Sequence, residues 1–212
     1  DSAVSALYDQ ERAISRPNSN CLVARYDLNG NALDSTGNGN NGTINGAIPT
    51  TDRFGNPNGA YEFDGVDDWI NTNSTFDYQQ RTVSVWFNAD FINAPGGINS
   101  STILNMDGFL TYGQCIARVE NGVMLLRGGG SSNSFFSNSI NINTWYHLVM
   151  VRDTFRTDYY LDGQFIGSQN TGSNNSQSTP YGKMVFGTDR TRSRSWFDGK
   201  IDDIKIYNCA FS

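Results

Sequence analysis

Tyr159-Tyr160-Leu161-Asp162-Gly163-Gln164-Phe165-Ile166 sets two short β-prone runs on either side of an Asp-Gly pair. Such a pair supplies the positive φ angles of a two-residue turn whose twist suits its flanking strands, so the stretch reads as a tight hairpin. Asn121-Gly122 reads as a second turn of this kind. Outward from the hairpin, runs rich in Val, Ile, Tyr, Phe and Trp recur at 22–28, 60–63, 82–87, 113–119, 122–127, 145–152, 158–161, 164–168, 183–187 and 200–207. Gly, Asn, Ser and Asp clusters separate them, and that spacing predicts an all-β sandwich. The polar stretches 93–101 and 170–179 read as exposed loops, and no tandem repeat is visible.

Residues 1–16 differ from the rest. Val4, Leu7, Arg12 and Ile14 lie among Ala, Gln, Glu and Asp without Gly or Pro, a weak amphipathic helical pattern that Pro17-Asn18-Ser19-Asn20 breaks. The chain thus divides into a helical or extended N-terminal segment with linker, 1–20, and one domain, 21–212. With 212 residues and 37% hydrophobic content, it can bury one sizeable core.

Composition removes several function classes. The formal charge is −6 and the 15 basic residues are scattered, so the phosphate-neutralising surface that nucleic acid requires is missing. No apolar run approaches the roughly 18 residues of a membrane span, which predicts no direct membrane insertion of this chain. His147 is the only histidine, which excludes zinc sites built on several histidines. A Ser-His-Asp or Cys-His site would have to use His147 inside the strand-like run 145–151, where a hydrogen-bonded strand histidine is the simpler reading.

Leu22-Val23-Ala24-Arg25-Tyr26-Asp27-Leu28-Asn29-Gly30-Asn31-Ala32, running into Asp34-Ser35-Thr36-Gly37-Asn38-Gly39-Asn40-Asn41-Gly42-Thr43, resembles the opening of bacterial laminin-G-like, concanavalin A-like jelly-roll domains. Tyr61-Glu62-Phe63-Asp64-Gly65-Val66-Asp67-Asp68-Trp69-Ile70, Thr82-Val83-Ser84-Val85-Trp86-Phe87, Trp145-Tyr146-His147-Leu148-Val149, Tyr160-Leu161-Asp162-Gly163 and the closing run 197–208 are similar to later blocks of that family, in order. The resemblance implies a two-sheet antiparallel jelly roll with its first and last long strands side by side. Antiparallel partners keep a constant index sum, so a register setting 22–28 against 208–202 also places Cys21 opposite Cys209. A disulfide there implies an oxidising, extracellular or cell-surface location. Cys115 is left over and reads as a buried strand thiol.

In the closing strand, strict alternation puts Asp202 on the face of Ile204 and Ile206, where a carboxylate needs a partner. The 34–41 loop offers Asp34, Asn38, Asn40 and main-chain carbonyls, hard oxygen ligands of the kind calcium takes. In related jelly rolls, including laminarinase-type hydrolases, a closing-strand aspartate helps hold a structural calcium, and Asp202 resembles that position. The expected metal site is therefore Asp34, Asn38, Asn40 and Asp202 with calcium; the alternative is an Asx turn at Asp34 and backbone amides on Asp202. Asp64, Asp67 and Asp68 form a second acidic group, read as a solvated strand-end turn.

The related glucanases carry two glutamates and an aspartate in one short strand. Glu11, Glu62 and Glu120 stand far apart here, and Asp202 and Asp203 face opposite ways on a regular strand, so no enzyme is expected. Aromatic content of 13% with abundant Asn, Ser, Thr and Gln suits sugar binding. Trp196, Tyr181 and Tyr112 are the candidate stacking residues, and Arg192 and Arg194 the candidate donors to a sulfated or carboxylated glycan. The expected function is a non-catalytic carbohydrate-binding or adhesion module whose partner is a glycan. The alternative is a structural or protein-binding module of a surface assembly, such as the lectin-like head of a modular type IV pilin partnered by pilus proteins, with residues 1–16 ending a longer helix.

Overall fold

A computed structural model of the chain describes residues 21–76, 78–90, 100–106, 115–128, 135–170, 183–189, 192 and 195–211. The N-terminal segment 1–20, with the helical pattern and the surface-assembly reading it motivates, lies outside the described residues. So do Tyr112, Tyr181, Arg194 and most of the two predicted loops.

Fifteen strands occur among the described residues: β1 (Leu22–Tyr26), β2 (Gly42–Asn45), β3 (Ile48–Thr50), β4 (Ala60–Asp64), β5 (Trp69–Thr75), β6 (Arg81–Ala89), β7 (Ser100–Met106), β8 (Cys115–Glu120), β9 (Val123–Gly128), β10 (Phe135–Ser139), β11 (Trp145–Arg152), β12 (Arg156–Leu161), β13 (Gln164–Asn170), β14 (Lys183–Phe186) and β15 (Asp198–Tyr207). They form two antiparallel sheets. The larger runs β13-β12-β11-β6-β15-β4-β3, with β1 also on β15, and the smaller runs β10-β9-β8-β7-β14-β5-β2. The predicted hairpin is β12–β13, with Asp162 at φ 50° and Gly163 at φ 75°.

One face of each sheet is apolar, and the two faces meet in the core. Val83, Val85, Phe87 and Ala89 of β6, with Ile201, Ile204 and Ile206 of β15, pack from the larger sheet; Leu104, Met106, Ala117, Val119, Met184 and Phe186 are core residues of the smaller. β15 is the organising strand, since β6 lies along one edge while β4 and then β1 share the other. Ala24, Arg25 and Tyr26 pair with Ile206, Lys205 and Ile204, the predicted register, with an irregularity toward Leu22. Cys21 and Cys209 are disulfide-bonded, Cα to Cα 5.8 Å, and Cys115 is buried with its Sγ 3.6 Å from Met150 Sδ.

Strict alternation fails in β15. Asp202 pairs with Trp86 and Lys205 with Ser84, so three steps along β15 are matched by two along β6. Asp203, at φ 43°, is at the resulting bulge. The expectation that Asp202 shares a face with Ile204 and Ile206 is thereby corrected: the bulge turns Asp202 to the outer face, so no carboxylate is forced into the apolar core.

Candidate ligand-binding face

The outer face of the larger sheet is built by register. Beginning at the end nearest the β4–β5 turn, Asp64 of β4 pairs with Asp198 of β15, and the Asp90 amide after β6 donates to Asp198 O at 3.0 Å. In the next row Glu62, Lys200, Asn88 and Trp145 follow one another across β4, β15, β6 and β11. The third row is Asp202, Trp86 and His147. A strip of carboxylates, amides and indoles therefore crosses four strands, while the alternate residues Phe63, Phe87, Ala89 and Ile201 face the core.

The third row is closed by the chain itself. Arg53, from the loop between β3 and β4, stacks over the Trp86 ring at 4.7 Å and the Phe54 ring at 4.4 Å. Its guanidinium donates to Asp202 Oδ2 and reaches Asp203 Oδ2 at 3.4 Å, and Lys205 Nζ donates to the same Asp203 oxygen at 2.9 Å. His147 stacks on Trp86 at 4.7 Å and 11°, with Nε2 2.8 Å from Ser84 Oγ. Burial, with the Lys205 charge opposed by Asp203 and joined by Arg53, pulls the imidazole down to about 4, so it is neutral at pH 7. No described protein group bonds His147 Nδ1, and Asp162 accepts the His147 main-chain amide instead, at 2.8 Å. Ser84 and His147 thus meet without the orienting carboxylate of a nucleophilic triad.

The expected calcium ligands have partners within the chain. Asp34 Oδ1 accepts from Arg25 N (3.1 Å), Thr36 N (3.0 Å) and Thr36 Oγ1 (2.7 Å), and Oδ2 accepts from Asn40 N at 3.0 Å. Burial alone would raise the Asp34 pKa, but the bonds from Thr36, Arg25 and Asn40 hold it below the usual carboxylate range. The side-chain amides of Asn38 and Asn40 both donate to Val23 O. With Asp202 paired to Arg53, this set does not fit a resident calcium: its anionic oxygens already have donors, and the cation beside Asp202 is a guanidinium.

The second acidic group is the better donor set. Ligand oxygens of Asp64, Asp67 and Asp68 lie within 4.8 Å of one another. Asp68 is buried; burial raises its pKa, the Asp64 amide on Oδ2 at 3.0 Å offsets this, and the charges of Asp64 and Asp67 raise it further. Asp64 Oδ1 also accepts from Val66 N at 2.8 Å and Asp67 N at 3.4 Å, so main-chain amides relieve part of the repulsion, and three converging hard oxygens are of the kind a divalent cation takes. Two of the predicted ligand contacts sit at the same end. Arg192 lies 4.4 Å over the half-buried Trp69 ring, and half-buried Trp196 precedes Phe197, whose carbonyl accepts from Gly65 N at 3.0 Å. Trp69, Trp145, Asn88 and Arg53 were not among the predicted site residues, because cross-strand pairing places Trp145 and Asn88, and loops packing back on the sheets bring Arg53 to Trp86 and Arg192 to Trp69. Asn88 and Asp90 did leave a trace in sequence, as polar residues out of phase with Phe87 and Ala89.

Two antiparallel sheets, a closing strand central to the larger one and a polar outer face define a jelly-roll module with its chemistry on a sheet face and rim. The family described as the concanavalin A-like lectin/glucanases superfamily, in its laminin G form, matches residues 63–212, and the chain belongs to it. No curated protein matches the sequence. Among solved structures, domain 4 of AbnA, an extracellular GH43 arabinanase from Geobacillus stearothermophilus in complex with arabinotriose, is similar at TM-score 0.70 and 20% identity over 91% of this chain and 94% of that one. The botulinum neurotoxin serotype D binding domain is similar at TM-score 0.67 and 17% identity, covering 91% of this chain and 49% of that one. Trypanosoma rangeli sialidase in complex with sialic acid gives TM-score 0.69 and 16% identity, covering 100% and 36%. At these identities the likeness is one of fold.

Proposed function

We propose that the chain is a non-catalytic, extracellular carbohydrate-binding module whose ligand site is the rim around Trp69, Arg192 and Trp196. The observation that carries this reading is Arg192 held over Trp69 next to the turn of Asp64, Asp67 and Asp68, which sets a guanidinium donor fork positioned by an indole near carboxylate acceptors. Sugars present these needs in reverse, as apolar C–H faces edged by hydroxyls. The arabinotriose and sialic acid held by the structurally similar proteins support the reading in general terms. The Cys21–Cys209 disulfide favours an oxidising compartment. Among the described residues, no helix is long and apolar enough to cross a membrane. Calcium belongs to this proposal at Asp64, Asp67 and Asp68, where it would tie the β4–β5 turn beneath the rim.

A glycan array and calorimetric titration, run with calcium and with a chelator, test the reading. Retention of at least one oligosaccharide class is expected, weakened about tenfold or more in Trp69→Ala and Trp196→Ala. Calcium is expected to raise the melting temperature in the parent but not in Asp67→Asn/Asp68→Asn. If no oligosaccharide is retained in either buffer, the carbohydrate reading falls; a calcium-indifferent melt removes the cation alone.

A further inference from the structure

The first two rows of the outer face carry an electrostatic imbalance, of which the rim uses only Asp64. Four carboxylates, Glu62, Asp64, Asp90 and Asp198, share these rows with one ammonium, Lys200. Burial raises the pKa of Asp90 against the pull of Lys200, and Glu62 raises it further. Acceptors also outnumber donors. Asn88 is only 7% exposed, and its Oδ1 is buried with no hydrogen-bond partner in the protein. Asp90 Oδ1 is buried and unpartnered as well. Asn88 leaves β6 on the outer face, since Phe87 and Ala89 on either side of it face the core, and Asp90, just beyond the strand, feels the charges of Lys200 and Glu62 on that face. Orphaned buried acceptors are costly, so they mark a place where a donor is expected. Trp145, half-buried, closes the same row next to Asn88 and supplies an indole.

We propose that this patch is a subsite for an amine-bearing sugar, one that carries a protonated amino group rather than a sulfate or carboxylate. The proposal rests on the carbohydrate-binding reading above and names the sugar class. An ammonium brings three donors and a positive charge to a patch whose only cation is Lys200 among four carboxylates, whereas a neutral hydroxyl brings one donor and no charge. The indole face of Trp145 suits the same group through its quadrupole. An anionic glycan, the class suggested by the arginines of the 190–194 stretch, would meet uncompensated carboxylates here instead.

Titration of the full chain, in chelator and at a pH where sugar amines are protonated, compares a glucosamine oligosaccharide with its N-acetylated counterpart of equal length and with a sulfated oligosaccharide. The amine form is expected to bind about tenfold more tightly than the N-acetylated form, the difference shrinking as salt rises. Asp90→Asn and Asp198→Asn are expected to erase that preference while melting no lower than the parent, because each removes a charge held against burial and repulsion. Equal binding of the amine and N-acetylated forms, tightest binding of the sulfated form, or a preference that survives both substitutions overturns the proposal and leaves the carbohydrate reading standing. Absence of binding by all three, together with an empty array, removes both.

Discussion

At the level of single residues, Asp202 and His147 flank Trp86 on either side of β6 and have pKa values shifted in opposite senses. Burial, only partly offset by Arg53, pushes the Asp202 carboxyl up to about 7, while burial pulls His147 down to about 4. A raised carboxylate pKa favours folding fully below the ordinary carboxylate range, and that contribution is lost as pH rises toward about 7. A depressed histidine contributes above its ordinary value near 6.5, and the contribution is lost as pH falls through about 4. The two slopes oppose each other across one window, so the parent is expected to show a shallow stability profile from about pH 4 to 7. Each single variant should expose the other group. His147→Gln is expected to lose stability as pH rises through this window, and Asp202→Asn as pH falls through it. Urea midpoints across the range check this, and slopes of the same sign in both variants would contradict it.

At the level of elements, the loop between β3 and β4 does more than connect. Its Arg53 crosses to the face of β15, where it meets Asp202, Asp203 and Trp86, and its side chain is only 10% exposed. Removing one partner of such a buried pair leaves the other charge uncompensated. Arg53→Ala is therefore expected to cost about 3–5 kcal/mol, read from chemical denaturation, whereas substitution of the exposed Arg156 is expected to leave the denaturation midpoint nearly unchanged. The β15 bulge and this loop belong together, since the bulge delivers two adjacent carboxylates to one face and the loop brings the guanidinium that holds them. Strands legible in the sequence, such as β6, β11 and β15, combine a strong apolar phase with clear turn boundaries. β5, written Trp-Ile-Asn-Thr-Asn-Ser-Thr, and β2, written Gly-Thr-Ile-Asn, were not legible, because polar residues dominate them and their ladders with β14 and with each other make them strands.

For the whole molecule, Cys21–Cys209 joins residues 188 apart and ties β1 to the end of β15. Opening that loop releases the denatured chain more than it disturbs any native contact. Reduction, or Cys21→Ser/Cys209→Ser, is expected to cost about 2–5 kcal/mol and to lower Tm by roughly 5–15 °C, while the β-sheet circular dichroism of the folded protein stays unchanged. A melting temperature indifferent to reductant would contradict this.

Sequence alone determined the β class and the hairpin at Asp162-Gly163, and, once the family resemblance had set the first and last strands side by side, the disulfide that follows from that pairing. It did so because alternation, turn chemistry and index sums are local or one-dimensional properties of the chain. Tertiary structure alone decided which carboxylates meet a cation and which do not. A single bulge at Asp203 reverses the phase of the closing strand, which moves Asp202 from the apolar face to Arg53, a partner 149 positions away. Likewise, only the register of β4, β15, β6 and β11 sets Glu62, Lys200, Asn88 and Trp145 in one row, since cross-strand neighbours are fixed by pairing between distant segments and leave no pattern along the chain.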